Sequence, residues 1–288
     1  MKRKIGLSML ACIMLAGPLA ATNVNFGDAL RRGLVRFEVE PGGDGYRSMG
    51  INVQNISPSP INVTLETGRI FHAIEPNIQP YVVTRPAIIT LNPGETEEVF
   101  LHARCGNSSA SSAHNGTHFT RTNMGSDAMV ATLQDMNRHR VSSDMFYANV
   151  VWHYTNNHDL SSIVYSDTDE KVYNAIMRGI CERENKSQAR YEKTFKPAQS
   201  GDDLEFSGMV DRIKSDFNVV LEEAADLKVA LLDNDGNTVK VLGYFMQVPV
   251  GTFNAPIDFE PSGIQRGEYK LSLVNQDNET IEQIPVNI

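Results

Sequence analysis

Hydrophobic and polar residues alternate in short runs from residue 34 to residue 105, and turn residues interrupt them. Leu34 to Val39 ends at Pro41-Gly42-Gly43-Asp44-Gly45. Met49 to Val53 runs into Asn55-Ile56-Ser57-Pro58-Ser59-Pro60. Ile61 to Leu65 ends near Gly68, and Tyr81 to Val83 and Ile88 to Leu91 precede Asn92-Pro93-Gly94-Glu95. A period of two sends neighbouring side chains to opposite faces, so this texture predicts short antiparallel strands in a sandwich. In the last run Val99, Leu101, Ala103 and Cys105 share one face and Phe100, His102 and Arg104 the other. If the aliphatic face is the core face, Cys105 points inward. Residues 106–125, opening on Gly106-Asn107-Ser108-Ser109-Ala110-Ser111-Ser112, read as a polar loop.

The period then becomes helical. Ser126 caps a segment in which Met129, Leu133 and Met136 share a face. Ser143 caps a second, with Tyr147, Val151 and Tyr154 on one face, Val150 beside it and Asn156-Asn157 at its end. Ser166 and Asp169 approximate a capping box for a third. There Val172, Ala175, Ile176, Gly179 and Ile180 form an amphipathic stripe, and Cys181 adjoins it. Residues 182–203 are dominated by charged and polar groups, and 191–203 read as a linker. Strand texture returns at 204–288. Leu227 to Leu232, the turn Asp233-Asn234-Asp235-Gly236-Asn237 and Thr238 to Leu242 predict a hairpin. Gly267 to Leu273 alternates, Asn275-Gln276-Asp277-Asn278 turns, and Thr280 to Ile288 is the last strand.

The expected architecture is mainly β with α. A β-sandwich with its Ser-rich loop (22–125) carries a helical extension (126–190), and a linker leads to a C-terminal sandwich (204–288). "VQNISPSPINVTLETG" followed by "ITLNPGETEEVFLHA" resembles bacterial extracytoplasmic immunoglobulin-like modules, with their asparagine-bearing strand and L-x-P-G-E hairpin. That resemblance spans about 70 residues and implies a fold rather than an activity. "VALLDNDGNTVKVL", then "APIDFEPSGIQRGEYKLSLVN" and a closing strand, is similar to type IX secretion sorting domains and to the immunoglobulin-like repeats of flagellar hook-cap proteins. Sorting domains end in a lysine-bearing strand, and Gln283 to Ile288 has no basic residue.

Met1-Lys2-Arg3-Lys4, the apolar run Ile5 to Ala16, Gly17-Pro18 and Leu19-Ala20-Ala21 make the tripartite pattern of a secretory signal peptide, 1–21. Cys12 follows Met9-Leu10-Ala11 in a loose lipoprotein box, but an apolar tail would follow it where a polar tether is expected. No later segment is long and apolar enough to span a bilayer. Export to the periplasm or cell surface is therefore expected. The chain has 288 residues and a formal charge of −9, which disfavours nucleic acid as a partner. From Asp202 onward 16 acidic residues face 6 basic ones, the mark of a solvated acidic surface. After leader removal Cys105 and Cys181 remain, and in an oxidising compartment the pair reads as one disulfide. Such a loop of about 75 residues would add roughly 4 kcal/mol.

Chemistry is sparse. His114 and His118 are spaced i, i+4, but Asn115-Gly116-Thr117 between them reads as solvated loop. His153 and His158 flank a helix end, and His72 and His102 lie in or beside strands. Counted from Asp233, the glycine falls at position 4 and Tyr244 at position 12, so a hairpin turn is favoured over a calcium loop. No H-E-x-x-H, P-loop, G-x-G-x-x-G or G-x-S-x-G occurs. The sole tryptophan, Trp152, lies beside Tyr147 and Tyr154 and is either core or an exposed aromatic strip for a sugar or a partner.

Trp152, Tyr154, His114 and His118 are thus the candidate binding residues, with no catalytic residue, metal or cofactor assigned. The leading reading is an exported, non-enzymatic protein with a binding, adhesion or envelope-assembly role toward a protein or glycan of the cell envelope. One alternative is an exported hydrolase or metal-dependent enzyme using His114, His118, Asp127 and His139. The other is secreted cargo bearing a C-terminal sorting domain.

Overall fold

A computed structural model describes residues 21–41, 49–114, 116–165, 167–197 and 207–288. Residues 1–20 of the expected leader, Cys12 among them, and Gly42-Gly43-Asp44-Gly45, Ser166 and part of the expected linker lie outside these residues.

The fold is mainly β. Its N-terminal part begins with β1 (Thr22–Asn25), α1 (Phe26–Arg31), β2 (Val35–Pro41), β3 (Met49–Asn55), β4 (Ile61–Leu65) and β5 (Arg69–Ala73). It continues with β6 (Tyr81–Val83), β7 (Ala87–Leu91), β8 (Thr96–Leu101), β9 (Ala103–Cys105) and β10 (Phe119–Met124). Three sheets, ordered β2-β3-β8, β1-β4-β7 and β10-β5-β6-β9, enclose one core. Phe26, Met49, Ile51, Val53, Val63, Leu65, Phe71 and Leu91 are among its fully buried members. The alternation read from the sequence is the alternation seen, with β4 reading buried, intermediate, buried, intermediate, buried.

Two expectations are corrected here. The run Val99 to Cys105 is not one strand. It breaks at His102, so that β8 pairs with β3 and β9 crosses to pair with β6. The polar stretch 106–125 is not all loop, because β10 pairs antiparallel with β5 inside it.

The second face of the β5–β6 sheet is covered by helices. These are α2 (Asp127–Arg138), α3 (Asp144–Asn156) and α4 (Glu170–Glu184), with a short 3-10 turn at Leu160–Ser162. Ile70 and Val82 point away from the sandwich core and pack with Met129, Leu133, Met136, Tyr147, Val150 and Ile176. Ser126 Oγ accepts from Met129 N at 3.2 Å and Ser143 Oγ from Phe146 N at 3.2 Å, as their positions implied. Asn157 ends α3 in the left-handed region at φ 54°. For α4 the cap is Asp169 itself, whose Oδ1 accepts from Lys171 N and Val172 N. The buried stripe is Tyr173, Ile176, Met177 and Ile180, while Ala175 is exposed.

The Cys105–Cys181 disulfide is not formed. Sheet geometry gives the reason. Arg104 faces the helices and pairs with Asp144 of α3. Its neighbour Cys105 must therefore point to the opposite face, and it lies in the sandwich core. Cys181 sits on α4, beyond the sheet. Burial raises the Cys181 thiol pKa, and the charge of Glu184 adds to it.

The stretch expected as linker opens with a strand instead. β11 (Tyr191–Phe195) pairs antiparallel with β12 (Val210–Leu221), which pairs with β15 (Gly251–Phe259). The facing sheet is β14 (Thr238–Val248), β13 (Ala225–Leu232), β16 (Glu268–Asn275) and β17 (Thr280–Asn287), in that order. Phe217, Leu227, Leu231, Leu271 and Leu273 fill the space between the two sheets. At the β13–β14 turn Asp233 Oδ1 accepts from Asn237 N at 2.8 Å, and Gly236 takes φ 86°. This is the hairpin the sequence implied. The Asn237 hydrogen bonds hold the Asp233 carboxyl below its ordinary pKa. No helix of the described residues is long and apolar enough to cross a membrane.

Candidate functional site

The C-terminal sandwich meets the helical layer through β11. Lys193, 7% exposed, extends its ammonium to Asp159 Oδ2 at 2.8 Å and to the Asn287 carbonyl at 3.3 Å. Asp159 lies at the 3-10 turn and Asn287 on the last strand, so one buried cation ties both parts together. Asn287 N donates to Tyr191 Oη at 2.9 Å on the same strand.

Beside this tie lies a cleft of about 580 Å³. One wall is Leu160, Tyr165, Glu170, Tyr173, Asn174 and Met177, from the 3-10 turn to α4. The other comes from the chain entering β11 (Gln188, Arg190, Tyr191, Glu192) and from Lys214, Ser215, Asp216 and Asn218 of β12. The strand period explains that second wall. Phe217 and Val219 turn into the sandwich core, so Asp216 and Asn218 turn out.

Tyr165 is the aromatic surface of the cleft. It is 48% exposed, and its ring stands edge-on to Tyr173 at 5.6 Å between centroids. Tyr173 is fixed because its hydroxyl donates to the Ile163 carbonyl at 2.7 Å. Burial, with Glu192 adding, pushes the Tyr173 phenol well above its ordinary pKa, so it remains neutral. On β12, Asp216 and Asn218 form a polar ladder with Asn254 of β15. Asn254 Nδ2 donates to Asp216 Oδ2 at 3.0 Å and to Asn218 Oδ1 at 2.8 Å. Three lining acids face two lining bases. Arg190 is already paired with Glu282 at 2.6 Å. The cleft therefore offers an aromatic face and fixed amide and carboxylate groups, with a modest excess of negative charge.

Across Leu160 lies a second hollow of about 620 Å³, lined by His153, Tyr154, His158, Glu184 and Lys186 among others. Its acid–base groups are spent on the protein itself. His153 is 7% exposed and binds the His158 carbonyl through Nδ1 at 2.6 Å and Glu184 Oε1 through Nε2 at 2.8 Å. Burial alone would raise the Glu184 pKa, but hydrogen bonds from Lys186 and His153 outweigh it and lower it. His158 Nε2 lies 2.9 Å from Ser108 Oγ, a serine–histidine contact. Ser108 is 1% exposed, so no substrate carbonyl reaches that oxygen. The contact anchors the Ser-rich loop to the end of α3, and Ser108 N also donates to Asn156 Oδ1 at 3.1 Å.

The structure separates the residues singled out from the sequence. Trp152 is buried, 5% exposed, and packs on the His158 ring at 5.7 Å, so it is core rather than an exposed strip. Tyr154 rims the second hollow, with its hydroxyl 2.9 Å from Thr132 Oγ1. His114 and His118 are exposed on a turn in which Thr117 N donates to the His114 carbonyl at 2.9 Å. A turn does not stack i and i+4 on one face, and neither histidine lines either hollow. Asp127 opens α2 and His139 caps its far end, roughly 18 Å apart at 1.5 Å per residue. The four residues of the enzyme alternative are therefore not assembled into one site. Among the described residues no group of three or more His, Cys, Asp or Glu is placed to hold a metal ion.

Sequence reasoning missed Tyr165, Tyr173 and Tyr191. They are far apart along the chain, and only the β11–β12 pairing brings the cleft's two walls together. The outward alternation of Asp216 and Asn218 was the one available sign. No family model matches the chain, and no curated protein matches it.

Proposed function

We propose that this chain is an exported, non-enzymatic binding protein of the cell envelope, built on immunoglobulin-like modules, and that it holds a neutral glycan in the cleft between α4 and the β11–β12 pair. Export rests on the tripartite N-terminal pattern of the sequence. The single observation that carries the ligand class is the half-exposed Tyr165 ring, braced by Tyr173, opposite Asp216 and Asn218. A sugar has an apolar C–H face and a hydroxyl rim. A tyrosine ring takes the first, and amide and carboxylate groups take the second. The excess of acidic groups in the lining disfavours an anionic ligand.

The reading is tested by titrating the protein with neutral oligosaccharides of the malto, cello and chito series, with binding followed by calorimetry or ligand-observed NMR. At least one series is expected to bind, and Tyr165→Ala and Asn218→Ala are each expected to weaken it about tenfold or more. Both side chains are exposed, so neither change threatens the fold. Absence of binding at millimolar sugar, or binding indifferent to both substitutions, refutes the reading.

A further inference from the structure

A pocket of about 280 Å³ lies where the loop between β6 and β7 meets the turn between α2 and α3. Arg85, Asn137, Arg140, Val141, Ser142 and Tyr147 line it, so it holds two arginines and no acid. The chain as a whole carries a formal charge of −9, and such a pocket stands apart from that background. Among the described residues neither arginine has a carboxylate partner. The acids nearest along the chain are taken by other arginines: Asp135 pairs with Arg138 and Arg183, and Asp144 with Arg104.

Arg85 is built into the wall. It is half-buried, donates from Nη2 to the Val141 carbonyl at 2.9 Å, and stands 5.4 Å from the centre of the Tyr147 ring. It also hydrogen-bonds the Tyr147 hydroxyl, which in turn donates to Asn137 Oδ1 at 2.8 Å. Burial raises the Tyr147 pKa, so the phenol stays neutral and brings no negative charge to the pocket. These bonds fix the guanidinium, and its remaining N–H donors have no acceptor among the described residues.

Arg140 supplies the second observation. It follows α2 at φ 54°, in the left-handed region. Its N–H donates to the Asn137 carbonyl at 3.1 Å, and Val141 N donates to the Met136 carbonyl at 3.0 Å. Asparagine takes the same conformation after α3 and α4, at Asn157 and Asn185. Glycine and asparagine suit it best, so the backbone does not call for arginine. Nor does the helix dipole, because Arg138 already stands in the last turn. What arginine adds at 140 is a second cation in the pocket wall.

We propose that this pocket binds the dianionic group of a small, soluble phosphate monoester between the Arg85 and Arg140 guanidiniums. Two cations without a carboxylate call for two negative charges, and a guanidinium fork matches the spacing of phosphate oxygens. The volume suits one small group rather than a drug-sized ligand. An acidic chain is repelled by an anionic bilayer, which favours a soluble ester over a lipid headgroup. The site is independent of the glycan cleft, because no residue lines both.

Phenyl phosphate is titrated into the full chain at about pH 7.5, where the ester is mostly a dianion. Ligand-observed NMR at constant ionic strength follows binding. Saturable binding is expected, with phenyl sulfate, which has the same ring and one charge fewer, bound more weakly. Arg140→Gly is expected to weaken phenyl phosphate about tenfold while unfolding no earlier than wild type, since glycine suits the turn. Arg140→Lys is expected to recover part of the loss, and Arg85→Gln, which keeps a donor for the Val141 carbonyl, to weaken binding as Arg140→Gly does. No binding at about 10 mM phenyl phosphate, a concentration at which even a weak charge-assisted contact registers, overturns the proposal. So does binding indifferent to Arg140→Gly, or phenyl sulfate bound as well as phenyl phosphate. Capture of the chain by phosphatidylcholine vesicles containing phosphatidic acid, without binding of phenyl phosphate, overturns the soluble ester in favour of a lipid headgroup.

Discussion

Asn55 offers the sharpest test of what holds the N-terminal sandwich together. It is fully buried, and its amide is saturated. Nδ2 donates to the Ser59 carbonyl at 2.9 Å and to the Leu91 carbonyl at 3.1 Å. Oδ1 accepts from Ser57 N at 2.9 Å and Ser57 Oγ at 2.7 Å. One side chain therefore fixes the Ser57-Pro58-Ser59-Pro60 loop and joins the end of β3 to the end of β7. Asn55→Ala removes all four bonds. The chief orphans are Ser57 N and the Leu91 carbonyl, because Ser57 Oγ keeps its bond to the Ser59 carbonyl. Two orphaned buried groups at about 1–3 kcal/mol each, with some relief from entering water, give a loss of about 4 kcal/mol. That is a large share of a domain's usual 5–15 kcal/mol. Asn55→Asp separates donor loss from cavity formation. It keeps the acceptor and the shape, but sets a buried carboxylate against two carbonyl oxygens, so it should cost more than alanine near neutral pH. Urea unfolding followed by Trp152 fluorescence is the assay, since the sole tryptophan is buried in the helical layer on this sandwich. A loss below about 1 kcal/mol for Asn55→Ala, or an aspartate variant as stable as wild type, refutes the argument.

Acid should weaken the junction in two stages. Burial, then the charge of Lys193, holds the His158 pKa below its ordinary 6.5, so its contribution is complete above that value and declines as pH falls beneath it. Glu184 is held below its ordinary 4.5 by Lys186 and His153, so its contribution persists lower and is lost as pH falls through the folded value. Urea midpoints measured from pH 7.5 to 3.5 check this, and His158→Gln should abolish the upper stage alone. Gly68 is expected to reject a side chain: its φ is +83°, and an added Cβ would lie 2.6 Å from Val130 Cγ2 of α2. Gly68→Ala should cost about 2 kcal/mol in thermal or urea unfolding, whereas the same change at the exposed Gly33 turn should cost less, since nothing stands within 4 Å of a Cβ there.

The sequence announced what depends on near neighbours. Val99, Leu101, Ala103 and Cys105 were readable as an inward face because period two is local. Ser126 and Ser143 were readable as caps because a cap bonds three residues away. What it hid depends on distant partners. β10, Phe-Thr-Arg-Thr-Asn-Met, buries only Phe119, so it has no alternation to betray it, and its strand character comes from lying along β5. β11 sits among charged residues and reads as linker until β12 supplies its hydrogen bonds. The cysteine pair failed for a related reason. Counting thiols tells nothing of which side of a sheet each faces, and Arg104, drawn to Asp144, put Cys105 on the wrong side for Cys181.

The cleft and the buried tie beside it are two consequences of one arrangement. β11 must lie where β12 can pair with it and where its inward residue reaches the helical layer. That inward residue is Lys193, and an ammonium withdrawn from water survives only where acceptors surround it. Asp159 comes from the helical side and the Asn287 carbonyl from the last strand, so swinging either part away would strip the cation of a partner. An apolar residue at 193 could bury as well while tolerating many packings. A lysine tolerates few, because its three donors need acceptors at fixed places. The walls bearing Tyr165 and Asp216 are therefore held at a set spacing, ready for the proposed glycan. A preset spacing spares a ligand the cost of ordering the site, which is what a shallow site with one exposed ring needs in order to bind at all.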